Sequence, residues 1–187
     1  MVIEDSSELK LNNVENIVHL ECRNSNAMGR GQVDMSQLIK TSLRMRPDRI
    51  IVGEVRGKEV LDMIQAMNTG HSGSMSTGHG NSVEGMLRRL ESMFLYAVSL
   101  DIHAVRGQIA EAVDIMIHLE KTSEGKRRIA EITEVTGYEK GMFKLNPLMI
   151  LDEEEKLVKK GSLCMTRKII LKGEKYAAEL RKMGFIT

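Results

Sequence analysis

The sequence predicts an α/β fold that carries an antiparallel β-hairpin in its second half. Two observations lead to this prediction. Up to about residue 113, short apolar or alternating runs typical of strands alternate with segments whose apolar residues recur at helical spacing. Beyond Asp114, two alternating segments, Ile115–Leu119 and Arg127–Val135, flank a turn at Thr122–Gly125.

The first half contains a short apolar start at Met1–Ile3, three predicted strands and four predicted helices. The clearest strand is Arg49–Gly53, because the β-branched run Ile50–Val52 suits a parallel strand buried on both faces. The other predicted strands are Ile17–Cys22 and Gly73–Thr77, with a loop at Asn24–Gly31, and the predicted helices are Asp34–Met45, Lys58–Thr69, Ser82–Tyr96 and Ile102–Val113.

Residues with strong end preferences support these helix boundaries. Asp34 and Ser82 are suited to cap helix N-termini, Pro47 stops the first helix, and Gly70 is suited to the position after the second. The side chains expected to face inward are Leu38, Ser42 and Met45 in the first helix, Val60, Leu61, Ile64 and Met67 in the second, and Met86, Leu87, Leu90 and Met93 in the third.

After the hairpin the pattern weakens. Met142–Leu145 is a possible third strand, charge-dense Asp152–Lys160 suggests a solvated linker or helix face, and Glu174–Met183 predicts a short helix closed by Gly184. We therefore expect one core over 1–146, with the hairpin at about 114–146, and a linker with a short helix over 147–187.

The composition excludes several classes of protein. The 187 residues suit about one domain, and 28% charged with 42% hydrophobic residues argues against disorder. A net charge of +1 argues against a dedicated nucleic-acid binder. Two distant cysteines support neither a disulfide framework nor a zinc or redox motif. With 14 Met and no Trp, the core is expected to be aliphatic, with Met filling its gaps.

The N-terminal residues and the apolar runs indicate a reducing cytosol. The acidic start Met1–Leu11 lacks the apolar region of a signal peptide, and runs such as Leu148–Leu151 are far too short to span a membrane.

The most informative segment surrounds Glu54. Glu54 ends the predicted strand Arg49–Gly53, and ligands of parallel sheets bind at the carboxyl ends of strands. A carboxylate there can hold Mg²⁺ through water beside a nucleotide's phosphates, and Arg44, Arg46 and Arg56 could bind phosphate oxygens. The alternative is that Glu54 merely pairs with Arg56 at the sheet edge. The residues alone leave the two interpretations about even.

Two further segments lead to the same edge. The small-residue strand Gly73–Thr77 delivers His79 there, although a lone histidine more often just satisfies a hydrogen bond. His71 and His79 lack a cysteine or carboxylate to complete a zinc site. Glu4 follows the first apolar segment, where it could also be only a helix cap.

In this order, the three segments resemble the Asp box, Walker B and His box of the type II/type IV secretion ATPase superfamily. The stretches SLRMRPDRIIVGEVRG and AMNTGHSGSMSTGHGNS, with the later IAEAVDIMIHLEKTSEGKRRIAEITEVTGYEKG, are most similar to Tad-pilus ATPases of the CpaF/TadA type. The resemblance covers roughly residues 1–146. It implies the C-terminal part of a RecA-like P-loop ATPase core, with the hairpin as an appendage.

The resemblance also implies roles for single residues. Glu4 matches the glutamate that positions or activates the attacking water, Glu54 the Walker B glutamate that supports Mg²⁺ through water, and His79 the residue that senses the γ-phosphate. Arg44 and Arg56 match positions beside that site and are expected to bind the nucleotide.

The same resemblance implies ligands, partners and location. ATP and Mg²⁺ are the expected ligands, and the intact protein is expected to be a hexamer at the cytoplasmic face of the inner membrane. There it would act with platform proteins of a pilus or secretion system, without nucleic acid.

The sequence departs from the family in two respects. Gly78 and Gly80 flank His79 where an aliphatic residue and Ala are usual, and they are expected to loosen its backbone. No G-x-x-x-x-G-K-[ST] segment occurs, and Gly53–Glu59 is one residue short and ends in Glu. The chain alone is therefore expected to be inactive.

Two alternatives to a motor fragment remain open. One is a non-enzymatic truncated homologue that acts as an oligomerisation or regulatory module. The other is a nucleic-acid binder that uses Lys126–Arg128 and Lys159–Lys160, which is disfavoured because aromatic stacking partners are missing.

Overall fold

The computed structural model describes residues 1–12 and 14–164 in two compact units, Met1–Ala112 and a unit that begins at Val113. The predicted helix Glu174–Met183 lies outside the described residues. The first unit contains β1 (Val2–Glu4), β2 (His19–Glu21), α1 (Met35–Arg44), β3 (Ile51–Val52), α2 (Glu59–Asn68), β4 (Met75–Ser76), α3 (Val83–Ala97) and α4 (Ile102–Ala112).

The first unit is built on a parallel sheet in the order β2-β1-β3-β4. In its register Val2 lies opposite Ile51, and Ile3 opposite Val52. Both faces of the central strands are covered, since Val2, Ile3 and Val52 are almost completely buried. The apolar runs at these positions reflect that double burial. The predicted strands Ile17–Cys22, Arg49–Gly53 and Gly73–Thr77 are confirmed in position, although each is shorter than predicted, and the short apolar start Met1–Ile3 lies largely in β1.

The predicted caps are confirmed. The Asp34 side chain accepts from the Gln37 amide while the Gln37 side chain accepts from Asp34, which forms a capping box at α1. Ser82 caps α3 in the same way by accepting from the Gly85 amide at 3.0 Å. Gly70 follows α2 with φ of +100°, the left-handed conformation that favours glycine.

The core of this unit is aliphatic, as predicted, with Met63 and Met93 buried among branched side chains. One expected inward residue is wrong. Met45 is 50% exposed because α1 ends at Arg44 and Arg46 turns the chain with φ of +51°. The apolar spacing thus continues one residue beyond the end of the helix.

The second unit is an antiparallel sheet in the order β5-β6-β7-β8, formed by β5 (Ile115–Lys121), β6 (Arg127–Glu139), β7 (Met142–Leu151) and β8 (Leu157–Lys159). The predicted hairpin and third strand are confirmed, and β7 runs past residue 146. Within 113–164, Val135 is the one fully buried apolar side chain.

The expectation of a linker or helix face at Asp152–Lys160 is wrong, because this segment forms a tight turn and β8. Asp152 Oδ1 accepts from the amides of Glu154 and Lys156, both at 2.9 Å, while Glu155 adopts φ of +60°. The charges cap a turn, and Arg128 binds Glu155 across it at 2.8 Å.

A buried carboxylate joins β6, β7 and the segment that follows β8. Glu134 is fully buried, and its Oε2 accepts from Asn146 Nδ2 and from the Cys164 amide, both at 2.8 Å. These two hydrogen bonds compensate for part of the cost of burying a carboxylate.

Across the described residues no helix has the length and apolarity that a membrane span needs.

Candidate functional site

The carboxyl ends of β1, β3 and β4 meet at one edge of the parallel sheet. Because these strands run in the same direction and in register, Glu4 lies level with Gly53, and the residues after β3 and β4 leave the sheet side by side. Glu54 and His79 follow these two strands. The sequence prediction that both reach the same edge is confirmed.

The Glu54 carboxylate lies between Arg56 and His79. Arg56 donates from Nε to Glu54 Oε2 at 2.8 Å, and its Nη2 lies 2.7 Å from the same oxygen. His79 Nε2 lies 3.1 Å from Glu54 Oε1. The pairing with Arg56 is therefore present, at the sheet edge where ligands of parallel sheets bind, and the binding of a ligand by Glu54 stays a prediction.

The surroundings of Glu54 favour its charged form. The hydrogen bond from Arg56 is the main reason that the pKa of the Glu54 carboxyl is lowered, and the charges of Arg56, His79 and Arg89 act in the same direction against desolvation. The side chain is only 18% exposed. The sheet edge thus holds a carboxylate whose charged form is favoured, chiefly by the Arg56 guanidinium.

The second oxygen of this carboxylate is covered but not hydrogen-bonded. Glu54 Oε1 is buried and accepts no hydrogen bond from the described residues, and His79 Nε2 lies 3.1 Å from it. A hydrated Mg²⁺ would reach this oxygen if the exposed His79 side chain turned away, and one carboxylate suffices for an ion that completes its shell with water and phosphate. No cluster of three or more potential metal ligands occurs in the described part of the chain.

Thr77 joins the ends of β3 and β4. Its hydroxyl donates to the Gly53 carbonyl at 2.6 Å, and its own carbonyl accepts from the Val55 amide at 3.0 Å. These bonds extend the strand pairing on both sides of Glu54. Sequence reasoning missed Thr77, because a threonine in a small-residue strand gives no signal of a cross-strand contact.

Glu4 is in place but its carboxylate already has partners. The side chain is 5% exposed, and Oε1 accepts from the amides of Glu8 and Leu9 at 3.1 and 3.0 Å. The loop after β1 is not a helix, so the expectation of a helix cap does not apply. Gly53 makes room for this side chain, since a Cβ there would lie 3.0 Å from Glu4 Cγ.

The segment with a partial P-loop pattern is already satisfied internally. The amides of Arg56 and Gly57 donate to Glu59 Oε1 at 2.6 and 2.8 Å. Glu59 thus holds the loop between β3 and α2, and these two N–H groups are not open to phosphate. Glu59 is a second residue that sequence reasoning missed, although a carboxylate in a first helical turn is a known capping signal.

Arg44 lies at the end of α1. Lys58, which follows β3, binds the Asp34 cap of α1 at 2.9 Å, so α1 begins near the carboxyl edge. The helix then runs about 15 Å away from that edge, and Arg44 at its end leads toward the start of β3. The expectation that Arg44 lies beside Glu54 stays a prediction, which the direction of this helix does not favour.

His71 also lies away from the Glu54 edge. It comes before β4, where the Ser74 amide donates to its carbonyl at 3.3 Å, whereas His79 comes after that strand. The two histidines therefore stand at opposite ends of the same strand. The structure supplies one further cation instead: Arg89 of α3 acts on Glu54.

The chain is similar to known proteins of one family. The family described as Type II/IV secretion system protein matches residues 1–176. The conjugal transfer protein TrbB of Rhizobium radiobacter is 35% identical over 154 residues, which cover 82% of this chain and 44% of that protein. Type IV secretion system protein PtlH of Bordetella pertussis is 33% identical over 137 residues, covering 71% and 40%. The chain thus spans less than half the length of these relatives.

A solved structure supports the fold. The VirB11 ATPase from the Brucella suis type IV secretion system, crystallised with sulphate, superposes with a TM-score of 0.62 at 31% identity and covers 71% of this chain and 39% of that one. The DotB ATPase of Yersinia pseudotuberculosis gives a TM-score of 0.52 at 22% identity, over 71% and 34%. The predicted α/β fold with a RecA-like core and an antiparallel addition is confirmed.

Proposed function

Because this chain belongs to the type II/IV secretion system protein family, we propose that it is part of a motor ATPase that drives secretion or pilus assembly. The observation that carries the proposal is the Glu54 carboxylate held between Arg56 and His79 at the carboxyl edge of a parallel sheet. Phosphoryl transfer needs mainly positioning and charge stabilisation, and this edge offers both.

The side chains at the carboxyl edge of the sheet are proposed to bind Mg²⁺ and the phosphates of ATP. Glu54 would hold the hydrated Mg²⁺ of MgATP through water, with the exposed His79 side chain turned away from Oε1. When bound, this ion would neutralise charge that develops on the phosphate oxygens. His79 would then contact the γ-phosphate, and Arg56 is exposed enough to turn from Glu54 to a phosphate oxygen. Arg44, at the end of α1, remains in the proposal as a nucleotide-binding residue.

Glu4 orients the water that attacks the γ-phosphorus. Its Oε1 is held by the two loop amides, which fixes the carboxylate one strand away from Glu54. Water adds to phosphorus, the bond to the β–γ bridging oxygen breaks, and ADP and phosphate leave. An ionised carboxylate within reach of that water is the usual means of orienting it.

The remaining parts of the proposal rest on the family. The 187 residues contain no G-x-x-x-x-G-K-[ST] segment, so the proposed ATPase needs a phosphate-binding loop from residues outside them. We propose a hexamer at the cytoplasmic face of the inner membrane, bound to platform proteins, with Tad-pilus ATPases as the nearest functional group.

The test compares phosphate release by this chain, by a version extended upstream through a P-loop segment, and by the extended Glu54→Gln variant. The proposal expects turnover in the extended version alone. An extended, folded, hexameric version without MgATP turnover would instead favour the non-enzymatic oligomerisation module.

A further inference from the structure

The position of His79 is set by its main chain rather than by its side chain. The imidazole is 80% exposed, and its Nε2 lies 3.1 Å from Glu54 Oε1. A side chain with so few neighbours is not held by packing. The distance between His79 and Glu54 therefore depends on where the backbone of residues 78–80 lies, and on what that backbone rests against.

That backbone rests on Met86 in the first turn of α3. A Cβ at Gly80 would lie 2.9 Å from Met86 Cβ and 3.1 Å from Met86 Cα and N, well inside ordinary contact distance. A Cβ at Gly78 would meet the Met86 thioether, with Sδ at 3.2 Å. Neither glycine adopts the left-handed conformation, so space, not backbone conformation, requires glycine at both positions.

Both ends of the loop are anchored. On the strand side, Thr77 is bonded to Gly53 and Val55. On the helix side, the Met86 amide donates to the Ser82 carbonyl at 2.9 Å, inside the turn that Ser82 caps. The loop between these anchors has only Gly78, His79, Gly80 and Asn81 to place, so a shift against Met86 moves His79 directly.

We propose that Met86 is a positioning residue for His79, and that Gly78 and Gly80 are present so that the loop can lie on it. The inference rests on the proposed function only for its consequence in catalysis, where small misplacements of a reacting group are costly. The contact of residues 78–80 with Met86 is a property of the folded chain and does not depend on the proposed function.

The two glycines are expected to respond differently to a methyl group. At Gly80 the obstacle is Met86 backbone and Cβ, which cannot move without moving α3. At Gly78 it is the end of a flexible side chain, which can rotate or be removed. Gly107→Ala is the matched control, because it adds the same methyl group to α4 with nothing within 4 Å outside its own helix.

The experiment measures how much the NMR resonances of the His79 imidazole change when Glu54 is replaced, in the 187-residue chain without nucleotide. The imidazole resonances of His79 are recorded by NMR with and without Glu54→Gln, in the unaltered, Gly80→Ala and Gly107→Ala backgrounds, with melting temperatures alongside. We expect the shift caused by Glu54→Gln to become severalfold smaller in Gly80→Ala and to be unchanged in Gly107→Ala.

A second pair of variants decides the matter if Gly80→Ala does not fold. Gly78→Ala is expected to reduce the same shift less than Gly80→Ala does, because the Met86 thioether can rotate partly aside, and Met86→Ala in the Gly78→Ala background is expected to restore it. The proposal would be overturned if Glu54→Gln shifted the His79 resonances as much in folded Gly80→Ala as in the unaltered chain. It would also be overturned if Met86→Ala did not restore that shift in the Gly78→Ala background. A missing ATPase activity in the extended protein would contradict the proposed function but would leave these NMR results valid.

Discussion

His79 Nε2 and Glu54 Oε1 lie 3.1 Å apart, although 24 residues separate them in the chain. Parallel pairing of β3 with β4 causes the approach, because it brings the residues after both strands to one edge. The histidine is therefore in direct electrostatic contact with the carboxylate, and a change in either side chain should be felt by the other.

His79→Ala should lower ATP turnover of the extended protein about tenfold, less than replacement of Glu54, because a group that contacts a phosphate contributes one interaction of several. Steady-state phosphate release measures this, with the exposed His19→Ala in β2 as control. Equal activity of His79→Ala and the unaltered protein would contradict the assigned contact.

The ion pair of Glu54 with Arg56 should appear in the pH dependence of stability. The pKa of Glu54 is lowered from 4.5 in the folded state, so its stabilisation is complete above pH 4.5 and is lost as the pH falls through the folded-state pKa. In Arg56→Gln, the free energy of unfolding should therefore differ less between pH 5 and pH 3 than it does in the unaltered chain. Urea unfolding at several pH values measures it.

Arg88→Gln serves as the control for that series, since Arg88 pairs with Glu84 at 3.7 Å and both side chains are about 70% exposed. Such pairs contribute little to stability. If the free energy of unfolding falls as much between pH 5 and pH 3 in Arg56→Gln as in the unaltered chain, Arg56 does not form the ion pair with Glu54 in solution.

Glu91 and Arg106 join α3 to α4. Arg106 donates from Nε and Nη2 to the two Glu91 oxygens at 2.9 and 3.2 Å, and Glu91 is buried. Glu91→Gln removes the charge from this two-point contact and should reduce the free energy of unfolding by about 1.5–3 kcal/mol. A loss no greater than that of Glu84→Gln, measured by denaturant unfolding, would contradict this.

Asn146 is the side chain that bonds buried Glu134. Asn146→Ala removes that donor and should destabilise the second unit by about 1–3 kcal/mol. Hydrogen exchange of the β6 amides reports the effect locally. Glu124→Gln in the exposed β5–β6 turn should leave exchange unchanged. Equal protection in Asn146→Ala would mean that the Cys164 amide alone suffices.

The sequence predicted those features that depend on local chemistry. Asp34 and Ser82 cap helices because short polar side chains satisfy free amides wherever they occur. The meeting of Glu54 and His79 was also predictable, since parallel strands end at one edge. Long-range geometry is harder to predict: Arg44 is ten residues from Glu54 in sequence, while α1 runs away from the carboxyl edge at which it begins.

The turn at Asp152 shows a different reason for failure. The density of charged residues predicts a solvated linker or helix face, yet the Asp152 carboxylate accepts two amide hydrogen bonds that close a tight turn before β8. Composition does not distinguish the two, because the difference is one of hydrogen-bond geometry. Thr77 and Glu59 were missed in the same way, as ordinary polar residues whose partners appear only in the folded chain.

The claim that Glu54 supports ATP hydrolysis is tested most directly by Glu54→Gln in the extended protein, with turnover, nucleotide affinity and melting temperature measured on one preparation. Gln keeps the shape but removes the charge that holds hydrated Mg²⁺. We predict nucleotide affinity within severalfold, a similar melting temperature and turnover lowered about a hundredfold or more. A large drop in melting temperature with normal activity per folded molecule would contradict the account and leave Glu54 as the structural partner of Arg56.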